Sequence, residues 1–135
     1  MRRIGAALAA AFALAGCGGE AGDLMAIEVS GGGAKARGAP LDIVVASDGR
    51  GTCNDRASES IPSDLVIEAR ELERELGDLA EESATFEADA AGRREYVVRI
   101  KAGTVRWTEG ARALPVVLPR TQLLAVRLDR LLCRS

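Results

Sequence analysis

Arg93-Arg94-Glu95-Tyr96-Val97-Val98-Arg99-Ile100-Lys101-Ala102-Gly103-Thr104-Val105-Arg106-Trp107-Thr108 is the stretch that decides the fold. Tyr96, Val98 and Ile100 alternate with Glu95, Val97, Arg99 and Lys101, the period-two pattern of a strand with one face buried. Ala102-Gly103 turns the chain. Thr104 to Thr108 then alternates again, with Val105 and Trp107 inward. Two such runs joined by a Gly-containing turn predict an antiparallel hairpin, so the fold must contain a sheet.

Upstream, Leu24-Met25-Ala26-Ile27-Glu28-Val29-Ser30 repeats the alternation through Met25, Ile27 and Val29. Gly31-Gly32-Gly33 stops that strand, and the loop continues to Ala39. Pro40 to Ala46 is β-branched and apolar, a second strand, and Asp48-Gly49-Arg50-Gly51 reads as a turn. The Gly triplet does not match G-x-x-x-x-G-K-[ST] or G-x-G-x-x-G, and no helix signal follows it, so it is read as a hairpin loop and not a phosphate cradle.

Between the two hairpins, Leu65, Ala69, Leu72, Leu76 and Leu79 are spaced 4, 3, 4 and 3 residues apart, one apolar helical stripe. Ile61-Pro62-Ser63 opens this helix, with Pro62 where a missing N–H costs nothing. Glu71 and Glu75 lie one turn apart and are weighed as a carboxylate pair, but they are read as part of a solvated helix face. Glu81 to Gly92 is expected to be a loop with Phe86 tucked inward. After an irregular stretch from Glu109 to Pro119, Thr121 is a candidate cap for a second helix with Leu124, Leu128, Leu131 and Leu132 buried. The order β-β-α-β-β-α predicts a two-layer α+β domain over residues 24–135, an antiparallel four-stranded sheet with two helices on one face.

The chain opens Met1-Arg2-Arg3 and runs from Ile4 to Gly16 without a charge. A permanent membrane helix needs roughly twenty apolar residues, so this shorter run reads as a signal peptide over residues 1–16. Its end, Leu14-Ala15-Gly16-Cys17, resembles the bacterial lipobox. That resemblance implies cleavage before Cys17, a diacylglyceryl thioether on its sulfur, and a Gly-rich tether over residues 17–23. The implied location is extracytoplasmic, with the membrane as one partner through the lipid anchor. Gly18 after the cysteine would allow outer-membrane sorting in a diderm cell.

Composition narrows the chemistry. Removing Arg2 and Arg3 leaves 16 basic residues against 20 acidic ones, a net charge of −4. Nucleic-acid surfaces want clustered positive charge, and no nucleic-acid partner is expected. The overall balance also disfavours basic attraction to anionic lipid. The chain has no histidine, which removes Ser-His-Asp and Cys-His catalysis and His-ligated zinc. Phe12, Phe86, Tyr96 and Trp107 are too few for an aromatic stacking platform. No pattern asks for a cofactor or a metal.

With Cys17 lipidated, Cys53 and Cys133 are the two remaining thiols, so their pairing is unique and a disulfide is expected in an oxidising compartment. A reactive thiol pair is the alternative, although there is no Cys-x-x-Cys.

Residues 27–132 resemble the emfourin-like proteins, small bacterial inhibitors of thermolysin-like metalloproteases. The resemblance rests on Ile27-Glu28-Val29-Ser30-Gly31-Gly32-Gly33, on Tyr96-Val97-Val98-Arg99-Ile100, on Val105-Arg106-Trp107-Thr108-Glu109-Gly110, and on a Leu-rich terminal helix. Cys53, Cys133, the lipobox and a longer charged helix depart from that pattern, and no inhibitory residue carries over.

The resulting expectation is a tethered protein-binding module with a partner in the cell envelope, a protease inhibitor in its sharpest form. Gly31, Gly32, Gly33, Trp107 and Glu109 are the candidate binding residues, with exposed loops expected at 31–39 and 109–119. A structural or assembly lipoprotein is the alternative. A carboxylate-dependent envelope hydrolase is a further one, because glycoside cleavage needs only two carboxyl groups.

Overall fold

A computed structural model describes residues 22–31, 40–88 and 93–134. The expected signal peptide, Cys17, most of the expected tether, Gly32 and Gly33 lie outside the described residues. The strands are β1 (Asp23–Gly31), β2 (Leu41–Ala46), β3 (Arg50–Cys53), β4 (Glu59–Ser60), β5 (Thr85–Phe86), β6 (Arg94–Ile100) and β7 (Gly103–Thr108). The helices are α1 (Ser63–Glu75), α2 (Gly77–Glu81) and α3 (Val117–Leu128), and α3 runs on into a π-helical turn, Asp129–Cys133.

The expected four-stranded antiparallel sheet with two helices is corrected. The sheet has seven strands in the order β4-β3-β2-β1-β6-β7-β5, and β5 runs parallel to β7. The three added strands are short and carry no hydrophobic period. Arg50-Gly51-Thr52-Cys53 reads locally as a turn, yet its backbone pairs with Ile43–Val45. Gly51 suits this place because a Cβ there would sit 2.5 Å from Ile61 Cδ1 and 2.9 Å from Leu132 Cδ1. β4 and β5 are two-residue edge pairings, and short edges of this kind leave little template for another strand.

The first helix is also divided. Leu76, at φ −77° and ψ −12°, ends α1, and α2 begins at Gly77. The division lets Ala80 reach the β6–β7 turn, where its carbonyl oxygen lies against Gly103 (φ +149°). A Cβ at Gly103 would strike that oxygen, and this positive φ is open only to glycine. Thr121 does not cap α3. It is buried inside the helix, and its hydroxyl donates to Val117 O at 2.8 Å.

One face of the sheet carries the core. Met25 and Ile27 of β1, Ile43 and Val45 of β2, Val98 of β6, and Val105 and Trp107 of β7 are all buried. Leu65, Ala69 and Leu72 of α1 and Leu118, Leu124 and Leu128 of α3 complete the same cluster. The helical stripes and the strand alternation therefore meet each other, which is why each element buries only one side. On the opposite face Glu28 and Arg99 pair at 3.2 Å, with Val97 buried between Glu28 and Arg106 in the strand register.

Cys53 and Cys133 form a disulfide with Cα atoms 5.4 Å apart. It fastens the end of the π-helical turn to β3, and Leu132 is buried beside it.

Candidate functional site

Strand register decides what lies at each end of the sheet. β1 starts against the end of β2, with Asp23 opposite Ala46, and finishes with Gly31 opposite Arg94 of β6. β7 returns to that second end, where the Glu109 N–H donates to Arg94 O at 2.8 Å. Gly31 and Glu109 are therefore brought together on the two sides of the start of β6. The two loops named from the sequence leave the body at one common end.

The local backbone explains the fit. Gly31 has φ +80°, and a Cβ on it would lie 2.8 Å from Arg93 O. Only glycine closes β1 so tightly against β6. Gly110 also has φ +80°, and the guanidinium of Arg93 lies over it, with Nη1 3.4 Å from where a Cβ would be. Beside them Val29, Leu41, Tyr96, Ala125 and Val126 line a shallow groove between the sheet and α3, with Arg94 and Asp129 at its rim. Arg93, Arg94 and Arg112 are exposed at this end. Among the described residues no ion pair holds any of these three. Unpaired guanidinium groups around a small apolar groove suit a partner segment that offers a carboxylate and an apolar side chain.

Trp107 is placed differently. Its ring is only 1 % exposed and stacks on Tyr96 with centroids 5.2 Å apart and planes 9° from parallel. It is a core residue, and its buried indole Nε1 has no hydrogen-bond partner among the described residues. Glu109 is half-buried and joins the end just described, whereas Gly32 and Gly33 lie outside the described residues.

The Glu71 and Glu75 carboxylates belong to an ion cluster between α1 and α3. Arg120 sits 2.8 Å from Glu75, 3.4 Å from Glu68 and 3.9 Å from Glu71. Its guanidinium is held above the ordinary arginine range, first by the hydrogen bond to Glu75, against a smaller opposing effect of burial, with the Glu75 and Glu68 charges adding to the rise. Raised above its unfolded value, the group stabilises the fold wherever its carboxylate partners are ionised, and that contribution is lost as strong alkali removes its proton.

Among the described residues no group of three or more His, Cys, Asp or Glu side chains is placed to hold a metal ion. No helix among them is long and apolar enough to cross a membrane.

Sequence reasoning did not find Arg93, Arg94 or the groove. Arg93-Arg94 reads as the polar start of a strand, and only the antiparallel register puts it between Gly31 and Glu109. The Glu68, Glu71 and Glu75 spacing of 3 and 4 residues puts three carboxylates on one face of α1, but nothing local shows the cation they meet. No protein-family model matches the chain, and no curated protein or solved structure is similar to it.

Proposed function

We propose that this chain is an extracytoplasmic lipoprotein, anchored through Cys17, whose folded body is a small protein-binding module. The carrying observation is the odd cysteine. The bridge uses Cys53 and Cys133, and the one thiol left over stands directly after Leu14-Ala15-Gly16. An unpaired cysteine in an exported chain calls for an explanation, and a lipid thioether supplies it. More than one acyl chain gives stable anchorage, since each buried CH₂ contributes about 0.8 kcal/mol.

The binding part of the proposal rests on the Gly31–Glu109 end, where an apolar groove lies beside three arginines that no ion pair holds among the described residues. The sharper form, inhibition of a thermolysin-like metalloprotease, rests on the resemblance of residues 27–132 alone.

Intact mass spectrometry of the natural product tests the anchor. The expected mass lacks residues 1–16 and carries glycerolipid on Cys17. An unmodified Cys17 would refute the anchor. Affinity capture from detergent-solubilised envelope tests the binding, with Arg93→Glu/Arg94→Glu as comparison. Recovery of the same proteins by both forms would remove this end as the binding surface. Undiminished thermolysin activity at saturating protein would remove the inhibitor form.

A further inference from the structure

The lipid anchor proposed above constrains how the body sits, because the tether enters at one particular place. The carbonyl of Gly22 accepts a hydrogen bond from Ser47 N–H at 3.0 Å. Five residues separate Gly22 from Cys17, about 17 Å when fully extended. The part of the body around Gly22 therefore stays within that distance of the bilayer.

The β2–β3 turn and the first turns of α1 gather at this place. Arg70 donates to Ser47 O at 2.9 Å, tying α1 to the turn, and Ile61 N–H donates to Gly49 O at 2.9 Å. β1 then carries the chain nine residues away, about 30 Å at the usual strand rise, to the Gly31–Glu109 end.

Arg70 and Arg74 share a line of α1 separate from Glu68, Glu71 and Glu75, while Asp64 precedes both lines in the chain and Glu73 lies outside them. At 100° per residue, Glu68, Glu71 and Glu75 form one line, and they turn toward Arg120. Ile67, Arg70 and Arg74, also spaced 3 and 4, form another line, and all three are exposed. Ile67 is 56 % exposed, a large apolar side chain beside two guanidinium groups. The whole-chain charge conceals this separation, because the acidic line is occupied by α3.

The geometry points to a docking surface: the Ile67–Arg70–Arg74 face of α1 rests on the anionic headgroups of the bilayer that holds the anchor. Arginine forks match lipid phosphates, and Ile67 reaches the headgroup layer between them. This orientation rests on the anchor reading and adds to it the face that meets lipid.

The test uses the full-length lipidated protein in vesicles of equal parts phosphatidylglycerol and phosphatidylcholine, read by hydroxyl-radical footprinting. Cys17→Ser protein mixed with the same vesicles is the reference. Ile67 oxidation is expected to fall about fivefold, the ratio set by a single cation's attraction to an anionic surface. Val116 and Leu123 on α3, 77 % and 52 % exposed, should be oxidised as in the reference. Arg70→Gln/Arg74→Gln, with an unchanged circular dichroism spectrum, should restore oxidation of Ile67.

Unprotected Ile67 would overturn the docking, and equal protection of Ile67, Val116 and Leu123 would mean that the helical layer lies flat instead. The intact mass of the same sample separates the two proposals. A chain lacking acyl mass on Cys17 sinks both, and an acylated chain with unprotected Ile67 sinks only this one.

Discussion

Reducing the Cys53–Cys133 bridge isolates one contribution to stability, because no core atom is removed. The bridge joins residues 80 apart in sequence. Chain-entropy reasoning gives such a loop about 4.5 kcal/mol through restriction of the unfolded ensemble, and bridges in practice contribute about 2–4 kcal/mol. A loss of about 3 kcal/mol is therefore expected on reduction, a large share of the 5–15 kcal/mol typical of a domain.

Urea unfolding followed by circular dichroism, with and without reductant, reads the effect. At a slope of about 2 kcal/mol per molar, the midpoint should fall by about 1.5 M. The slope should rise as well, since the unlinked chain exposes more surface when it unfolds. The first structure to loosen should be the π-helical turn Asp129–Cys133, which the bridge fastens to β3. A midpoint shift below about 0.3 M would refute the reasoning, because it would mean that the bridge neither restrains the unfolded chain nor holds the C-terminus in place.

Gly103→Ala places a Cβ against the carbonyl oxygen of Ala80 at a positive φ, and a loss of about 2–3 kcal/mol is expected in thermal unfolding. Gly77→Ala, with open space around its Cβ, should instead gain up to about 0.5 kcal/mol as a helix residue. Trp107→Ala should cost about 3–5 kcal/mol by cavity formation. Trp107→Phe should cost clearly less, because a phenyl ring refills most of that cavity. Equal losses for the two would refute the cavity reasoning. Arg120→Met should lower the melting temperature through loss of contacts to Glu75 and Glu68, and the difference from wild type should shrink with added salt, as exposed charges are screened.

The α1–α3 pair shows how much of the packing the sequence encoded. The apolar spacings on each helix specify which side is buried, but the partner of the remaining side is invisible locally. Glu68, Glu71 and Glu75 look like a solvated face until Arg120, some fifty residues on, is folded against them. Trp107 shows the converse. Its inward position in the hairpin was legible, yet its selection as a binding residue was not supported, because stacking on Tyr96 leaves almost none of the ring in contact with solvent.

By itself the sequence determined the four long strands, β1, β2, β6 and β7, and, with Cys17 read as the lipidated residue, it pointed to the pairing of Cys53 with Cys133. Alternation is a property of each strand's own residues, and that reading leaves two thiols, which admit one bridge. Only the tertiary structure decided β3, β4 and β5, the division of the first helix at Leu76, and the meeting of Gly31, Arg94 and Glu109. Segments of two to four residues are too short to show a period. They become strands because a neighbour already holds unpaired N–H and C=O groups that burial obliges them to satisfy.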